Sequence, residues 1–142
     1  MSQDESSGKV CEFKGGRVIT RWIADDTIEA FYSGDASAAL VEEARRHFWQ
    51  VAGGRPVRFL LVDSLALTRL DPNAIYIGGR FMNTFKAQGG KMFILVVKLD
   101  AIRMMVSSFM FILGIQGRMV RSREEALELI AQTRAGAPEK AT

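Results

Sequence analysis

The sequence predicts a single α/β domain: a mixed sheet, antiparallel at its N-terminal end and parallel at its C-terminal end, with about four helices packed on it. Two patterns support this prediction. The N-terminal third contains short runs with strand-type alternation, and the remainder alternates continuous apolar runs with helical periodicity. Strands that alternate with helices after an antiparallel start are typical of a mixed sheet covered by helices.

The first three strands are predicted from β-branched and aromatic residues. The runs are "VCEF", "RVITRWI" and "TIEAFYSG", and "KGG" separates the first two as a hairpin turn. Ser33-Gly34-Asp35 is expected to turn the chain into a first helix, "ASAALVEEARRHFWQV", whose apolar residues recur every four positions. Gly53-Gly54 should end that helix, because glycine is favoured just after helix C-termini.

The parallel strands are predicted from continuous apolar runs. "VRFLLV" and "MFILVV" are typical of strands buried on both faces, and "RMV" is a third, brief strand. Helices are expected from Pro72 to about Gly89 and from Asp100 to about Leu113. A last helix should begin after Ser122, because "SREE" is a capping box in which serine and glutamate satisfy backbone N–H groups.

Composition indicates one globular domain. The chain has 142 residues, of which 48% are hydrophobic and 25% charged. We expect the domain over residues 9–135, with disordered tails at 1–8 and 136–142. The single cysteine, Cys11, excludes an internal disulfide and a cysteine-based metal cluster. The polar start lacks a signal peptide and no apolar run suffices for a membrane span, so we expect a cytoplasmic location.

The charge distribution does not favour a nucleic-acid partner. The formal net charge is +3, and basic residues outnumber acidic ones by about 10 to 5 after Pro72. These basic residues are scattered, however, and no lysine or arginine run alternates with exposed aromatic residues. A solvated basic face is the better interpretation, and we expect no nucleic acid to bind.

Groups that could perform catalysis are scarce. The single histidine, His47, follows Glu43 by four residues, but without a second histidine or cysteine this pair is a poor metal site. A Ser–His–Asp set could be drawn from Ser64, His47 and Asp63, yet the chain has no nucleophile elbow. It also has no phosphate-binding loop. We therefore expect no catalytic residue, metal or cofactor.

A group of polar residues follows the first parallel strand. Asp63, Ser64, Thr68 and Asp71 are expected to lie close together beyond the carboxyl end of that strand, where α/β proteins often bind ligands. Alternatively, Asp63 and Ser64 only satisfy backbone groups of the loop. Asp71 and Pro72 suit the N-cap and first position of a helix, which leaves open a cap alone or a cap that also contacts a partner.

The helix expected at 100–113 is apolar on more than one side. Four apolar residues have the spacing of a helix face directed toward the sheet: Ile102, Val106, Phe109 and Leu113. Methionine, phenylalanine and isoleucine also occupy its other faces, so a second contact is required. A face of Met104, Ser108 and Phe111, flanked by Lys98 and Arg103, is suited to adaptable recognition. The alternative is burial beneath a neighbouring helix or the N-terminal strands.

Residues 55 to 130 contain three characteristic stretches: "RPVRFLLVD", "LDPNAIYIGGRFMNTFKAQGGKMFILVV" and "VRSREEALELI". In their order and spacing, and most recognisably in "AQGGKMFIL" and "SREEALELI", they resemble the STAS domain family of bacterial anti-anti-sigma factors. The N-terminal part, with a helix before the first parallel strand, looks more like STAS relatives grouped with Sec14-type domains. The resemblance implies the STAS fold and a non-catalytic regulator that binds a protein partner.

The family's regulatory position differs in this chain. STAS proteins of this type carry an Asp followed by a phosphorylated Ser, "DSSG", before the second helix. The corresponding residues here are Asp71, Pro72 and Asn73, so no hydroxyl stands at the regulated position. The resemblance therefore implies no phosphorylation at Pro72 or Asn73, and Thr68 or Ser64 would be the nearest substitute.

Two functions remain open from the sequence. The first is a STAS-like interaction module in bacterial signalling, whose partner is an anti-sigma-type or other regulator, or a second copy of the chain. Its contact residues would be Asp63, Ser64, Thr68, Asp71 and Asn73 on one segment, and Met104, Ser108 and Phe111 on the other. The second is a small-ligand or lipid-binding domain of the Sec14 kind. A carrier should contain a cavity of several hundred Å³, whereas an interaction module should expose an apolar patch over a packed core.

Overall fold

The computed structural model of the protein describes residues 8–136, so residues 1–7 and 137–142 of the predicted tails lie outside the described part. The strands are β1 (Lys9–Phe13), β2 (Gly16–Ala24), β3 (Thr27–Ala36), β4 (Phe59–Leu70), β5 (Met92–Val96) and β6 (Arg118–Val120). The helices are α1 (Ala38–Ala52), α2 (Pro72–Ala87), α3 (Asp100–Leu113) and α4 (Arg123–Arg134).

The strands form one six-stranded sheet in which they follow one another in chain order, from β1 to β6. The pairs β1–β2 and β2–β3 are antiparallel, and β3 to β6 are parallel. The predicted mixed sheet with four helices is thus confirmed. Lys14 and Gly15 join β1 to β2 with φ angles of 46° and 89°, the left-handed conformations that a tight hairpin turn requires.

The strand order determines where the helices lie. Each parallel strand is added on the same side of the previous one, and right-handed crossovers then place α1, α2 and α3 on one face. Their core there includes Phe48, Leu60, Phe81 and Phe85. Among the helices of residues 8–136, only α4 packs on the opposite face, where a second core buries Phe59, Leu61, Met92, Ile94, Val96, Ala126 and Ile130.

Aromatic contacts join α1 to α2. The ring centroid of Phe48 lies 5.0 Å from that of Phe81 and 5.9 Å from that of Phe85, and both pairs meet edge to face. This geometry directs the positive edge of one ring at the negative face of the other, which stabilises each pair by roughly 1 kcal/mol beyond its burial. Helices α1 and α2 are therefore held as one layer over the sheet.

The turn predicted at residues 33–35 is wrong. These residues continue β3, in which Gly34 pairs with Leu67 and Asp35 with Arg69. The first helix instead begins after Ser37, whose side-chain oxygen accepts a hydrogen bond from the backbone N–H of Leu40 at 3.2 Å. Glycine and aspartate favour turns locally, but the hydrogen bonds that pair these residues with β4 outweigh that preference.

The predicted C-terminal caps and capping box are present. Gly53 ends α1 in the left-handed conformation, with φ 59°. The Ser122 hydroxyl accepts from the Glu125 N–H at 3.1 Å and so caps α4. The Glu125 carboxylate accepts in turn from the N–H of Arg121, one residue earlier than the standard box would have it.

Candidate partner-binding surface

The start of α2 is a fully formed helix cap. The Asp71 carboxylate accepts a hydrogen bond from the backbone N–H of Asn73 at 2.9 Å, and Pro72 occupies the first turn of the helix. The backbone N–H of Asp71 donates to the carbonyl of Ala36 at 3.0 Å. The predicted N-cap is therefore confirmed, and its side chain is half-buried rather than enclosed. Asn73 is exposed beside it.

The same edge of the sheet carries the start of α3. Because β4 and β5 are parallel, the helices that follow them both begin at the carboxyl edge, where α/β domains usually bind their ligands. Leu99 caps α3 without a side-chain hydrogen bond and is 59% exposed. Tyr76, one turn into α2, is 45% exposed. Sequence reasoning did not single out these two residues, although Leu99 directly precedes the first residue of α3 and Tyr76 lies one turn into α2.

Asp63, Ser64, Thr68 and Asp71 do not form a cluster, so the prediction that they lie close together is wrong. The segment predicted as a loop belongs to β4, which runs to Leu70. A strand advances about 3.3 Å per residue, so Asp63, Ser64 and Thr68 are spread along it, and Asp71 lies beyond its end. Thr68 is exposed, whereas Asp63 and Ser64 are 5% and 8% exposed.

The two buried residues of this segment serve the backbone. The Ser64 hydroxyl donates to the carbonyl of Val96 at 2.6 Å, which links β4 to β5. The Asp63 carboxylate accepts from the N–H of Leu65 at 3.0 Å. Both contacts correspond to the alternative in which these side chains satisfy backbone groups.

A charged cluster lies beneath α4, and the sequence analysis did not find it. Glu29 is 2% exposed, and its carboxylate accepts hydrogen bonds from Arg21 at 3.2 Å and from Arg123 at 2.6 Å. Burial raises the pKa of the nearby Asp63 carboxyl, and the negative charge of Glu29 raises it further, against the opposing effect of Arg123. The sequence did contain a signal for this cluster, because Glu29 is an acidic residue within a predicted strand, and a buried acid requires a charged or hydrogen-bonding partner.

The outer face of α3 is exposed and apolar. Met104 is 71% exposed, Phe111 88% and Ile112 75%. Ser108 lies exposed between them and donates to the carbonyl of Met104 at 3.0 Å, as serine often does within helices. The sequence had placed Met104, Ser108 and Phe111 on one face, and the structure adds Ile112.

Positive charge borders this outer face. Lys98 is exposed just before α3, and the half-buried Arg103 donates to the carbonyl of Val97 at 3.4 Å. Arg121 pairs with Asp100 at 3.1 Å, which neutralises the acidic residue in the first turn of α3. The surface is therefore an apolar strip with cations at one end.

The inner face of α3 is only partly packed. Val106 is buried, whereas Ile102, Phe109 and Leu113 are half-buried. They line an apolar cavity of about 130 Å³ between the sheet and helices α1, α2 and α3. This volume is smaller than the several hundred Å³ expected of a lipid carrier.

The weaker candidates for chemistry stay separate. His47 Nε2 lies 3.7 Å from the Glu43 carboxylate, and the Nδ1 of His47 is buried without a hydrogen bond among the described residues. Over residues 8–136, no three His, Cys, Asp or Glu side chains come together as a metal site. No helix in that range is long and apolar enough to cross a bilayer.

The fold is similar to those of several solved structures. Unphosphorylated SpoIIAA, an anti-sigma factor antagonist, matches at 19% identity and a TM-score of 0.63, covering 82% of this chain and 97% of that one. An anti-sigma factor antagonist from Mycobacterium paratuberculosis matches at 15% identity and 0.64, covering 82% and 94%. Phosphorylated SpoIIAA, a Bacillus cell fate determinant, matches at 19% and 0.62, covering 80% and 98%.

No model of a known protein family matches the sequence, and no curated protein matches it either. The structural similarity nevertheless extends over most of the chain and nearly all of each antagonist. The chain has the SpoIIAA-like, or STAS, fold.

Proposed function

We propose that this chain is a non-catalytic protein-interaction module that works in regulation, and that its partner binds the outer face of α3 together with the start of α2. The observation that carries the proposal is the exposure of Met104, Phe111 and Ile112, at 71%, 88% and 75%. Large apolar side chains concentrated on one helix face usually mark an interaction site. The fold shared with anti-sigma factor antagonists supports the same class of function.

The chemistry of this surface describes its partner. The apolar strip would supply affinity by removing methionine and phenylalanine side chains from water, while Lys98 and Arg103 would orient an acidic rim. An anti-sigma-type regulator with an apolar patch bordered by acidic residues fits this description, and so does a second copy of the chain. Asp71 and Asn73 would complete the contact from the start of α2.

Regulation at the family's usual position is not part of the proposal. Pro72 has no hydroxyl, and the side chain of Asn73 cannot be phosphorylated by a serine kinase. Ser64 is 8% exposed and its hydroxyl is hydrogen-bonded to the carbonyl of Val96, so a kinase could not reach it without separating β4 from β5. Thr68 is exposed and is the remaining hydroxyl on the segment. We expect partner binding without a phosphorylation switch at Pro72 or Asn73.

The proposal is tested by making the strip polar. The double variant Met104→Gln/Phe111→Gln should fold normally, because both side chains are mostly exposed and such changes usually cost less than about 0.5 kcal/mol each. It should lose self-association in sedimentation, or lose a specific protein retained by the wild type in pull-downs from native lysate. Leu127→Gln on α4 is the matched control, since Leu127 is 37% exposed and lies on the other face of the sheet.

The outcomes are distinct. Loss of association in the double variant, with the Leu127 variant unchanged, supports the proposal. Unfolding of the double variant would mean that the strip is part of the core. Equal association by wild type and both variants would show that the strip is not the interface.

A further inference from the structure

The cavity beneath α2 and α3 is a second feature of the molecule, independent of the exposed strip. It measures about 130 Å³ and is lined by all three helices of its face and by strands β2 to β5. Protein interiors are close-packed, and voids larger than a water molecule are few. An apolar space of this size within a small domain therefore requires an explanation.

The space arises from small side chains at inward positions. Ala30 and Ala44 face it from β3 and α1, and Ala74 and Gly78 face it from α2. Gly78 belongs to the inward stripe of α2, since it lies four residues after Ala74 and four before the buried Met82. Apart from the adjoining backbone of its own helix, a Cβ atom at Gly78 would have no neighbour within 4 Å. The sequence thus leaves open a space that one larger residue would fill.

The polar groups around the cavity are already engaged or uncharged. The Ser64 hydroxyl donates to the carbonyl of Val96. The Arg45 guanidinium at the rim is held by Glu42, with its Nε at 3.0 Å from the carboxylate. Burial raises the pKa of the Tyr32 phenol, which therefore stays neutral. Water would find few partners here, and a charged ligand would find no free counter-ion among these groups.

The cavity is partly open to the surface, and half-buried residues of α2 and α3 belong to its lining. Ile75 on α2 and the α3 residues Phe109 and Leu113 line the cavity and are only half-buried. Val106 is the single buried residue of α3, so a small shift of this helix would expose few other groups. A small molecule can therefore reach the cavity without disruption of the core between α1 and the sheet.

We infer that this cavity is a binding site for a small, neutral, apolar molecule of about the size of benzene. An apolar cavity of about 150 Å³ in another protein stays dry and binds benzene, so the volume here is sufficient for an aromatic ring or a short branched alkyl group. The ligand would gain affinity from the apolar lining alone, because no directional polar contact is offered.

Methionine methyl groups provide the test, with benzene as the probe. Met82 and Met110 line the cavity, Met92 lies on the opposite face beneath α4, and Met104 is on the outer face of α3. In methyl NMR spectra of the full chain labelled at methionine, benzene should shift the Met82 and Met110 signals saturably. The Met92 signal should not change, because its methyl group lies beyond the sheet.

A filled cavity is the matched variant. Gly78→Leu points its side chain into the open space and should abolish the saturable shifts, whereas Asn83→Leu adds the same group to the exposed side of α2 and should leave them intact. The inference is overturned if benzene shifts no methyl signal, shifts only Met104, or shifts all methionines in proportion to its concentration. The wild-type spectra decide even if Gly78→Leu does not fold. Since partner binding is not measured, failure here leaves the proposed interaction surface unaffected.

Discussion

Alanine at Gly78 and alanine at Gly79 should change stability in opposite directions. Both glycines lie within α2, so each substitution removes the same backbone freedom from the unfolded chain and adds the same helix preference. Their surroundings differ. A Cβ at Gly78 meets nothing within 4 Å, whereas one at Gly79 would lie 2.7 Å from Cδ1 of Ile115 and 2.9 Å from Cδ1 of Leu113.

The magnitudes follow from these distances. Gly78→Ala should raise the free energy of unfolding by about 1 kcal/mol, the usual difference between glycine and alanine inside a helix. Gly79→Ala gains the same amount but must displace two side chains, and overpacking of this kind costs roughly 1–3 kcal/mol. Since the displaced atoms are ends of side chains, we expect a net loss between about 0 and 2 kcal/mol. The two variants should differ by at least about 1 kcal/mol.

Urea unfolding followed by circular dichroism measures this difference. The wild type and both variants should share one dependence on urea, so that the shift of the midpoint reports the change in stability. Equal stability of the two variants, or a more stable Gly79→Ala, would refute the reasoning. It would show that α2 does not approach the end of α3 as closely as Ile115 and Leu113 indicate.

Three further predictions concern charged side chains. Asp71→Ala should lower the free energy of unfolding by about 1 kcal/mol in thermal unfolding, because the cap on Asn73 is lost; an unchanged stability would refute the cap. The folded-state pKa of Asp63 is raised above its ordinary 3.8, so its contribution to stability falls as the pH rises through that region. Asp63→Asn should therefore be more stable than wild type at neutral pH and lose this advantage below about pH 4, as parallel urea titrations would reveal. Glu29→Gln should cost about 2 kcal/mol in the same assay, because Arg123 loses its buried partner but is itself partly exposed.

The alternation of strands and helices can be predicted from the sequence because its signals are local. A continuous apolar run such as "MFILVV" and the capping residues Asp71 and Ser122 are recognisable without knowledge of the neighbours. The structure confirms β5 and the starts of α2 and α4 within a residue or two. Four apolar residues already satisfy the inward spacing of α3, but periodicity leaves open whether Phe111 is exposed or buried beneath a neighbouring element, and the structure shows it exposed.

The features that could not be predicted from the sequence depend on pairing between distant segments of the chain. The predicted turn at 33–35 and the predicted loop after Val62 are both strand, because β3 and β4 pair along their whole length. Residues that favour turns, such as Gly34 and Asp35, give no indication in the sequence that they will pair with a distant strand. The burial of Asp63 and Ser64 follows from the same extension of β4, and the contact of Glu29 with Arg123 joins residues 94 positions apart. Whether a partner binds the predicted contact residues remains a prediction.

The chain-order sheet has a consequence for how this protein is assembled during synthesis. Each strand pairs with the strand synthesised just before it. No strand therefore has to be inserted later between two others, and each new strand is added at the same edge of the sheet. The exposed edge during growth would be successively β3, β4 and β5, each rich in apolar residues and prone to pair with another chain. The finished edge, β6, has only three residues. A chain that stops before Arg118 would leave the five apolar residues of β5 without a strand partner on one side, so aggregation of truncated products is expected.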